Sequence, residues 1–350
     1  MDKKYIKLYK EIKEKILSGE YPGGKKLPSK RVMADLYGVS VITVEASYEM
    51  LIDEGYITPR ERSGYFVSTI NYSLHEKNTP KDTISYLDDP TGEPDTDFEY
   101  SVWFKTVRKV ISEKGSRLFV KSPSRGCAVL RNAIADYLYR YRSMHADPKN
   151  IIIGSGSEQL YEIAIKILGR NKIYGIESPC YEQIPTIYQD MGAAVCSLKM
   201  GSDGIESAAF EKEKFDVLHV TPFHSYPSGI TASISKRYEY LDWANKNGNY
   251  IIEDDFDSEF FIPGNPIDSL YKLNTGKSII YINTFSKSLS PAMRLGYMIL
   301  PSELLSSYDE HLGKHSCSVP VMDQYILAEF ISSGSFERHL NRMRRKLNKE

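Results

Sequence analysis

Apolar residues first recur at helical spacing over residues 3–18, where Ile6, Tyr9, Ile12 and Ile16 share one face and lysines crowd the other. Gly19 and the turn Tyr21-Pro22-Gly23-Gly24 end that helix. A second helix begins near Ser29, whose hydroxyl can cap it, and runs through Leu36-Tyr37 to Gly38. Ser40 caps a third, with Val44, Tyr48 and Leu51 inward and Gly55 at its end. Tyr56-Ile57-Thr58 and Gly64-Tyr65-Phe66-Val67 then read as two short strands. Two helices joined by a tight turn at Gly38-Val39-Ser40 and followed by a two-stranded wing predict a winged helix-turn-helix over residues 1–70.

Residues 71–82 are polar and lack an apolar period, which predicts a linker. The pattern resumes at Ile84-Ser85-Tyr86, followed by a Gly/Pro turn, an amphipathic helix containing Trp103, Phe104 and Val107, and a second helix, AVLRNAIADYLYRYR. From Ile151-Ile152-Ile153 onward, helical segments alternate with short apolar runs: KIYGIE, AAVCSL, DVLHV, NYIIED, SIIYIN and LGYMIL. That alternation predicts an α/β domain over residues 83–350 with a mostly parallel sheet, whose ligands gather at the carboxyl ends of the strands.

Composition bounds the partners. With 350 residues and 41% hydrophobic content, two domains with real cores are expected. A net charge of -1 excludes a global polycation, and residues 1–70 hold 12 Lys and Arg against 10 Asp and Glu, so any nucleic-acid site must be local. Four scattered cysteines without a C-x-x-C pair argue against a zinc ribbon or disulfide framework and suit a reducing compartment. The charged N-terminus has no apolar signal-like run and no stretch reaches membrane-spanning length, so a cytoplasmic protein without a membrane partner is expected. His311 and His315 at i, i+4 near Cys317 have metal-like spacing but no evident fourth ligand, and no metal site is expected. Arg342, Arg344 and Arg345 read as a solvated helix face.

The candidate chemistry centres on Lys287. Flanked by Thr284, Ser286, Ser288 and Ser290, with Arg294 seven residues on, its amine can condense with an aldehyde while its neighbours grip a phosphate, which is what pyridoxal phosphate requires. A lysine in a serine-rich turn is also an ordinary solvated residue, so the other strand ends matter. Gly154-Ser155-Gly156-Ser157-Glu158-Gln159 offers close backbone approach and a helix N-terminus to an anion, or is simply a helix cap. Glu177-Ser178-Pro179-Cys180-Tyr181 sets an aromatic ring at a strand end, and the turn from Thr221 to Gly229 adds polar tips. The acidic run from Glu253 to Glu259 can pair with a pyridinium nitrogen, or without Lys287 could equally bind a divalent metal.

The stretches LPSKRVMADLYGVSVITVEASYEMLIDEGYI and SGYFV resemble the winged helix-turn-helix of GntR-type bacterial repressors, and the clusters from Gly154 to Arg294 resemble the fold-type I pyridoxal-phosphate enzymes. Together with EDDFDSEF and NTFSKSLSPAMRLGYMILP, the whole chain resembles the MocR-type (GabR-like) branch of the GntR regulators. The resemblance implies that Ser29, Lys30 and Arg31 meet DNA phosphates and bases, that Ser40 and Thr43 lie at the major groove, and that Arg62 works from the wing tip. It further implies Lys287 as the Schiff-base lysine, Asp254 on the pyridine nitrogen and Tyr181 stacked on the ring. Gly156, Ser157, Thr284, Ser286 and Arg294 would hold the phosphate, with Glu158 contributing through its backbone. The implied partners are a double-stranded DNA operator, a second copy in a homodimer, and an amino-compound effector.

Three departures qualify that inheritance. Val41 stands where many relatives have arginine, and Phe256 stands where a tyrosine would hydrogen-bond the cofactor's 3′ oxygen. The sequence stops at FERHLNRMRRKLNKE, where relatives continue into a subdomain supplying an arginine for a substrate carboxylate; a fragment, a shortened gene or a minimal variant is expected. A regulator that senses an amino compound or the cofactor, rather than one that turns substrate over, is the leading expectation. A working aminotransferase with an accessory DNA-binding domain and a degenerate constitutive DNA binder are the alternatives.

Overall fold

The computed structural model describes residues 4–61, 63–69, 98–260, 268–274 and 277–347. Two compact units divide the chain, Met1–Glu93 and Pro94–Glu350. The expected linker at 71–82 lies outside the described residues.

In the first unit α1 (Lys4–Leu17), α2 (Lys30–Tyr37) and α3 (Val41–Asp53) precede β1 (Ile57–Arg60) and β2 (Gly64–Val67), which pair antiparallel with Ile57 opposite Val67. Ser29 and Ser40 cap α2 and α3 through their hydroxyls, and Gly38 ends α2 at φ 60°, a left-handed conformation that glycine adopts without a Cβ penalty. The apolar face of α1 is Leu8, Tyr9, Ile12 and Ile16, whereas Ile6 is only half-buried. These side chains meet Met33, Val44, Tyr48, Leu51, Ile57 and Val67 in one small core.

The second unit opens with α4 (Tyr100–Lys114) and α5 (Ala128–Arg142). On α4 Thr106 and Val110 are buried, while Phe104 is exposed. There follow β3 (Ile151–Gly154), α6 (Ser157–Leu168), β4 (Ile173–Ser178), α7 (Gln183–Asp190), β5 (Ala194–Lys199), α8 (Ser207–Lys212), β6 (Val217–Val220), α9 (Ile234–Asn247), β7 (Tyr250–Asp254), α10 (Leu270–Leu273), β8 (Ile279–Thr284) and β9 (Gly296–Ile299). The chain then runs through α11 (Leu305–Leu312), α12 (Val321–Ser332) and α13 (Ser335–Leu347).

The strands form one sheet in the order β3-β9-β8-β7-β6-β4-β5. Neighbours from β5 through β8 are parallel, as the helical crossovers demand, and β9 alone runs against both β8 and β3. Side chains alternate between the two faces, and both faces are covered: Ile251, Ile279 and Tyr281 join one apolar layer, and Ile252, Ile280 and Ile282 the other. That is why these strands read as continuous isoleucine-rich runs. The register sets Gly154, Thr284 and Gly296 side by side, so the carboxyl ends of β3 and β8 meet the start of β9 at one edge.

Candidate functional site

A cavity of about 370 Å³ opens at that edge. Its walls include Ser157, Glu158, Tyr181, Asp254, Thr284, Ser286, Lys287 and Arg294, all named from the sequence as cofactor-binding candidates. Gly156, the remaining one, borders it: at φ 92°, a Cβ there would come within 3.2 Å of the Arg294 guanidinium. Tyr161, Gln183, Ile184, Thr221, Tyr226 and Phe256 complete the lining.

Strand periodicity separates the acidic run of β7 and its continuation. Glu253 turns away from the cavity and accepts the backbone N–H groups of Leu270 and Tyr271, both at 2.8 Å. Asp255 also turns away, to Arg142 at 3.0 Å and the Tyr281 hydroxyl at 2.6 Å. Asp254 faces the cavity. Its Oδ2 accepts the Tyr161 hydroxyl and lies 3.9 Å from His219 Nε2, while its buried Oδ1 has no hydrogen-bond partner. Burial pushes the Tyr161 phenol well above its ordinary range, so it stays a neutral donor toward that carboxylate.

Lys287 stands half in solvent, its Nζ 3.1 Å from Asp257 Oδ2 and 4.9 Å from the centre of the Phe256 ring. The same Asp257 oxygen meets His224 Nδ1 at 2.9 Å. On the opposite wall α6 starts at Gly156 without a side-chain cap, leaving N–H groups of its first turn for an anion. Arg294, at φ 40° an uncommon left-handed non-glycine residue, holds Glu158 Oε2 at 3.1 Å. The Glu158 carboxylate, and not only its backbone, therefore belongs to the site. Tyr181 and Tyr226 meet edge to face with ring centres 6.2 Å apart. Behind them Ser225 donates to the buried Glu177, whose pKa burial pushes up to about 7. Burial likewise pushes the Cys180 thiol up to about 11, which makes it a poor nucleophile at neutral pH.

These residues fit pyridoxal phosphate: an exposed primary amine, a buried carboxylate oxygen lacking a donor, and an uncapped helix start beside an arginine and two hydroxyls share one cavity. Sequence inspection missed Tyr161 and His219, and it named His224, Tyr226 and Asp257 only as members of their strand-end clusters, without a role. Tyr161 lies four residues past Ser157 on one helix, which is a usable signal. The meeting of His224, Asp257 and Lys287 across three chain segments left none.

In the first unit Ser29, Arg31 and Ser40 are exposed and Lys30 is half-buried, ion-paired with Glu45. The Ser29 hydroxyl accepts the Val32 N–H, and the Ser40 hydroxyl accepts the Thr43 N–H at 3.2 Å and lies 2.8 Å from the Thr43 hydroxyl. Arg62 lies outside the described residues. Two further cations at the wing were passed over by the sequence reading: Arg60 on β1, stacked 4.4 Å from the Phe66 ring centre, and Lys26, ahead of α2, whose backbone bridges to Phe66.

Residues 4–67 match the family described as bacterial regulatory proteins, gntR family, and residues 91–350 match aminotransferase class I and II. The chain is 35% identical to YdeL, an uncharacterized HTH-type transcriptional regulator of Bacillus subtilis, over 97% of its own length and 76% of the relative's. It is 30% identical to the pyridoxine biosynthesis transcriptional regulator PdxR of Corynebacterium glutamicum, over 97% of its own length and 75% of the relative's. An archaeal alanine:glyoxylate aminotransferase superposes with a TM-score of 0.64 at 25% identity, covering 71% of this chain and 64% of the enzyme. A regulator's DNA-binding fold followed by an aminotransferase fold is thus common to the chain and its relatives, and the chain belongs to the MocR-type family of gntR HTH transcriptional regulators.

Proposed function

We propose that this chain is a DNA-binding transcription regulator whose aminotransferase-like domain, residues 83–350, holds pyridoxal phosphate and senses an amino compound or the cofactor itself. The observation that carries the proposal is the shared cavity, in which Lys287 and the donor-less oxygen of Asp254 accompany Arg294 and the uncapped start of α6. Bound there, the cofactor supplies an aldehyde that takes up primary amines and a ring that draws electrons. Lys287 offers the amine, and Asp257 keeps it at the cavity rim. Asp254, whose Oδ1 lacks a partner and whose other oxygen accepts the Tyr161 hydroxyl, would pair with the protonated ring nitrogen. Thr284, Ser286, Ser157 and Arg294 would hold the phosphate, and Tyr181 would supply a stacking face.

Phe256 favours sensing over turnover, since it places a ring without a hydroxyl beneath the lysine where a donor would tune the bound aldehyde. The winged helix-turn-helix, residues 1–70, takes double-stranded operator DNA through Ser29, Lys30, Arg31, Ser40, Thr43 and Arg62. A homodimer in the cytoplasm presents two such heads to two half-sites. None of the described helices is long and apolar enough to cross a membrane.

The first test is spectroscopic. Adding pyridoxal phosphate to the purified chain is expected to shift the cofactor's absorbance, and Lys287→Ala is expected to abolish the shift; an unchanged wild-type spectrum refutes cofactor binding. Turnover of an amino donor with a keto acid, above that of free cofactor, would instead establish the aminotransferase reading.

A further inference from the structure

The first turn of α3 shows hydrocarbon to solvent. Ile42 is 77% exposed and Val41 42%, while Val44, one residue past Thr43, is fully buried. The helix is therefore seated by Val44, Tyr48 and Leu51, and the two residues ahead of them are left outside the core. Polar groups near this turn bond one another in the free chain. The Ser40 and Thr43 hydroxyls bond each other, Ser40 also accepts the Thr43 N–H, and Lys30 is paired with Glu45. The second helix of a helix-turn-helix enters the major groove with its N-terminal residues against base edges. The feature of that groove which apolar side chains recognise is the C5-methyl group of thymine.

We propose that Val41 and Ile42 read thymine methyl groups, so that each operator half-site carries thymine at the positions under the start of α3. The proposal rests on the DNA-binding function above and adds the base it selects. Guanine is not selected at these positions, because it offers two acceptors there and neither side chain has a donor. Both residues are already exposed, so changing them leaves the core of the first unit intact.

The test uses the full chain and a random pool of duplex DNA enriched by successive rounds of binding. The best duplex is remade with deoxyuridine replacing one thymine at a time, which removes only the methyl group. At one or two positions per half-site the replacement is expected to weaken binding about fourfold, the worth of burying one methyl-sized group. Ile42→Ser is expected to bind the thymine and uridine duplexes alike at the position under residue 42, and Val41→Arg to enrich guanine at its own position instead. Uridine duplexes that bind as tightly as thymine duplexes throughout overturn this inference and leave DNA binding standing. So does undiminished discrimination in the double variant Val41→Ser/Ile42→Ser. A pool from which nothing is enriched overturns the DNA-binding function and the inference together.

Discussion

Asp257 is the buried member of a three-residue contact in which its partners, Lys287 and His224, are both about half exposed. An ion pair to so exposed a lysine is worth at most about 1 kcal/mol after solvent screening. Its value to the site is positional: Asp257 tethers an otherwise mobile four-carbon chain above Phe256, where the cavity opens. Removing the tether leaves the amine to search more rotamers before it meets an aldehyde. Asp257→Ala is therefore expected to weaken pyridoxal phosphate binding about fivefold, as read by absorbance titration. Asp257→Asn, which keeps an acceptor oxygen, should lose less. Equal affinity in wild type and Asp257→Ala would reduce the contact to an incidental pair. Lys287 was legible in the sequence because its serines, threonine and arginine lie within a few residues of it. Its tether was not, because His224 and Asp257 reach it from other segments, and only the sheet order brings those together.

Strand ends explain both how much of the architecture could be read and where the reading stopped. Buried parallel strands need apolar side chains on both faces, so β4, β6, β7 and β8 announced themselves as isoleucine- and valine-rich runs. The acidic run that begins in β7 looked like one cluster, since sequence alone does not say which face each carboxylate takes. In the fold Glu253 and Glu259 are structural. The first accepts two backbone N–H groups at the start of α10, and the second accepts the Asn283 side chain at 2.8 Å. Burial pushes both, and Glu177 at the end of β4, up to about 7. A folded carboxyl with a raised pKa retains a proton that the unfolded chain has lost, so its stabilising share is complete below about 4.5 and disappears as pH rises through 7. For Glu177 a rise from 4.5 to about 7 is worth at most about 3 kcal/mol. Glu177→Gln is accordingly expected to raise the urea midpoint at pH 8 more than at pH 5, flattening the pH dependence of unfolding. A shift of equal size at both pH values would mean that Glu177 is already ionised in the folded chain.

At the scale of the whole molecule, the order of the two modules was open to inspection because each rests on local patterns: capped short helices with a wing, then strands alternating with helices. What joins them in function has no local signature, because it is a free energy between two sites. If pyridoxal phosphate changes the affinity for operator DNA by some factor, DNA must change the affinity for pyridoxal phosphate by the same factor. Couplings of this kind commonly amount to 1–3 kcal/mol, roughly fivefold to 150-fold. The prediction is a closed cycle: DNA affinity measured with and without saturating cofactor, and cofactor affinity measured with and without saturating enriched duplex, give equal ratios different from one. Lys287→Ala, tested at the same cofactor concentration, should bring the DNA ratio to one while still binding the duplex, because the lysine lies in the second unit. Ratios of one in the wild type would identify a constitutive DNA binder whose second domain holds its cofactor without reporting on it. A wild-type ratio that persists in Lys287→Ala would place the coupling elsewhere in the cavity, with Arg294 and Glu158 the next pair to substitute, since an arriving phosphate competes for the arginine that Glu158 now holds.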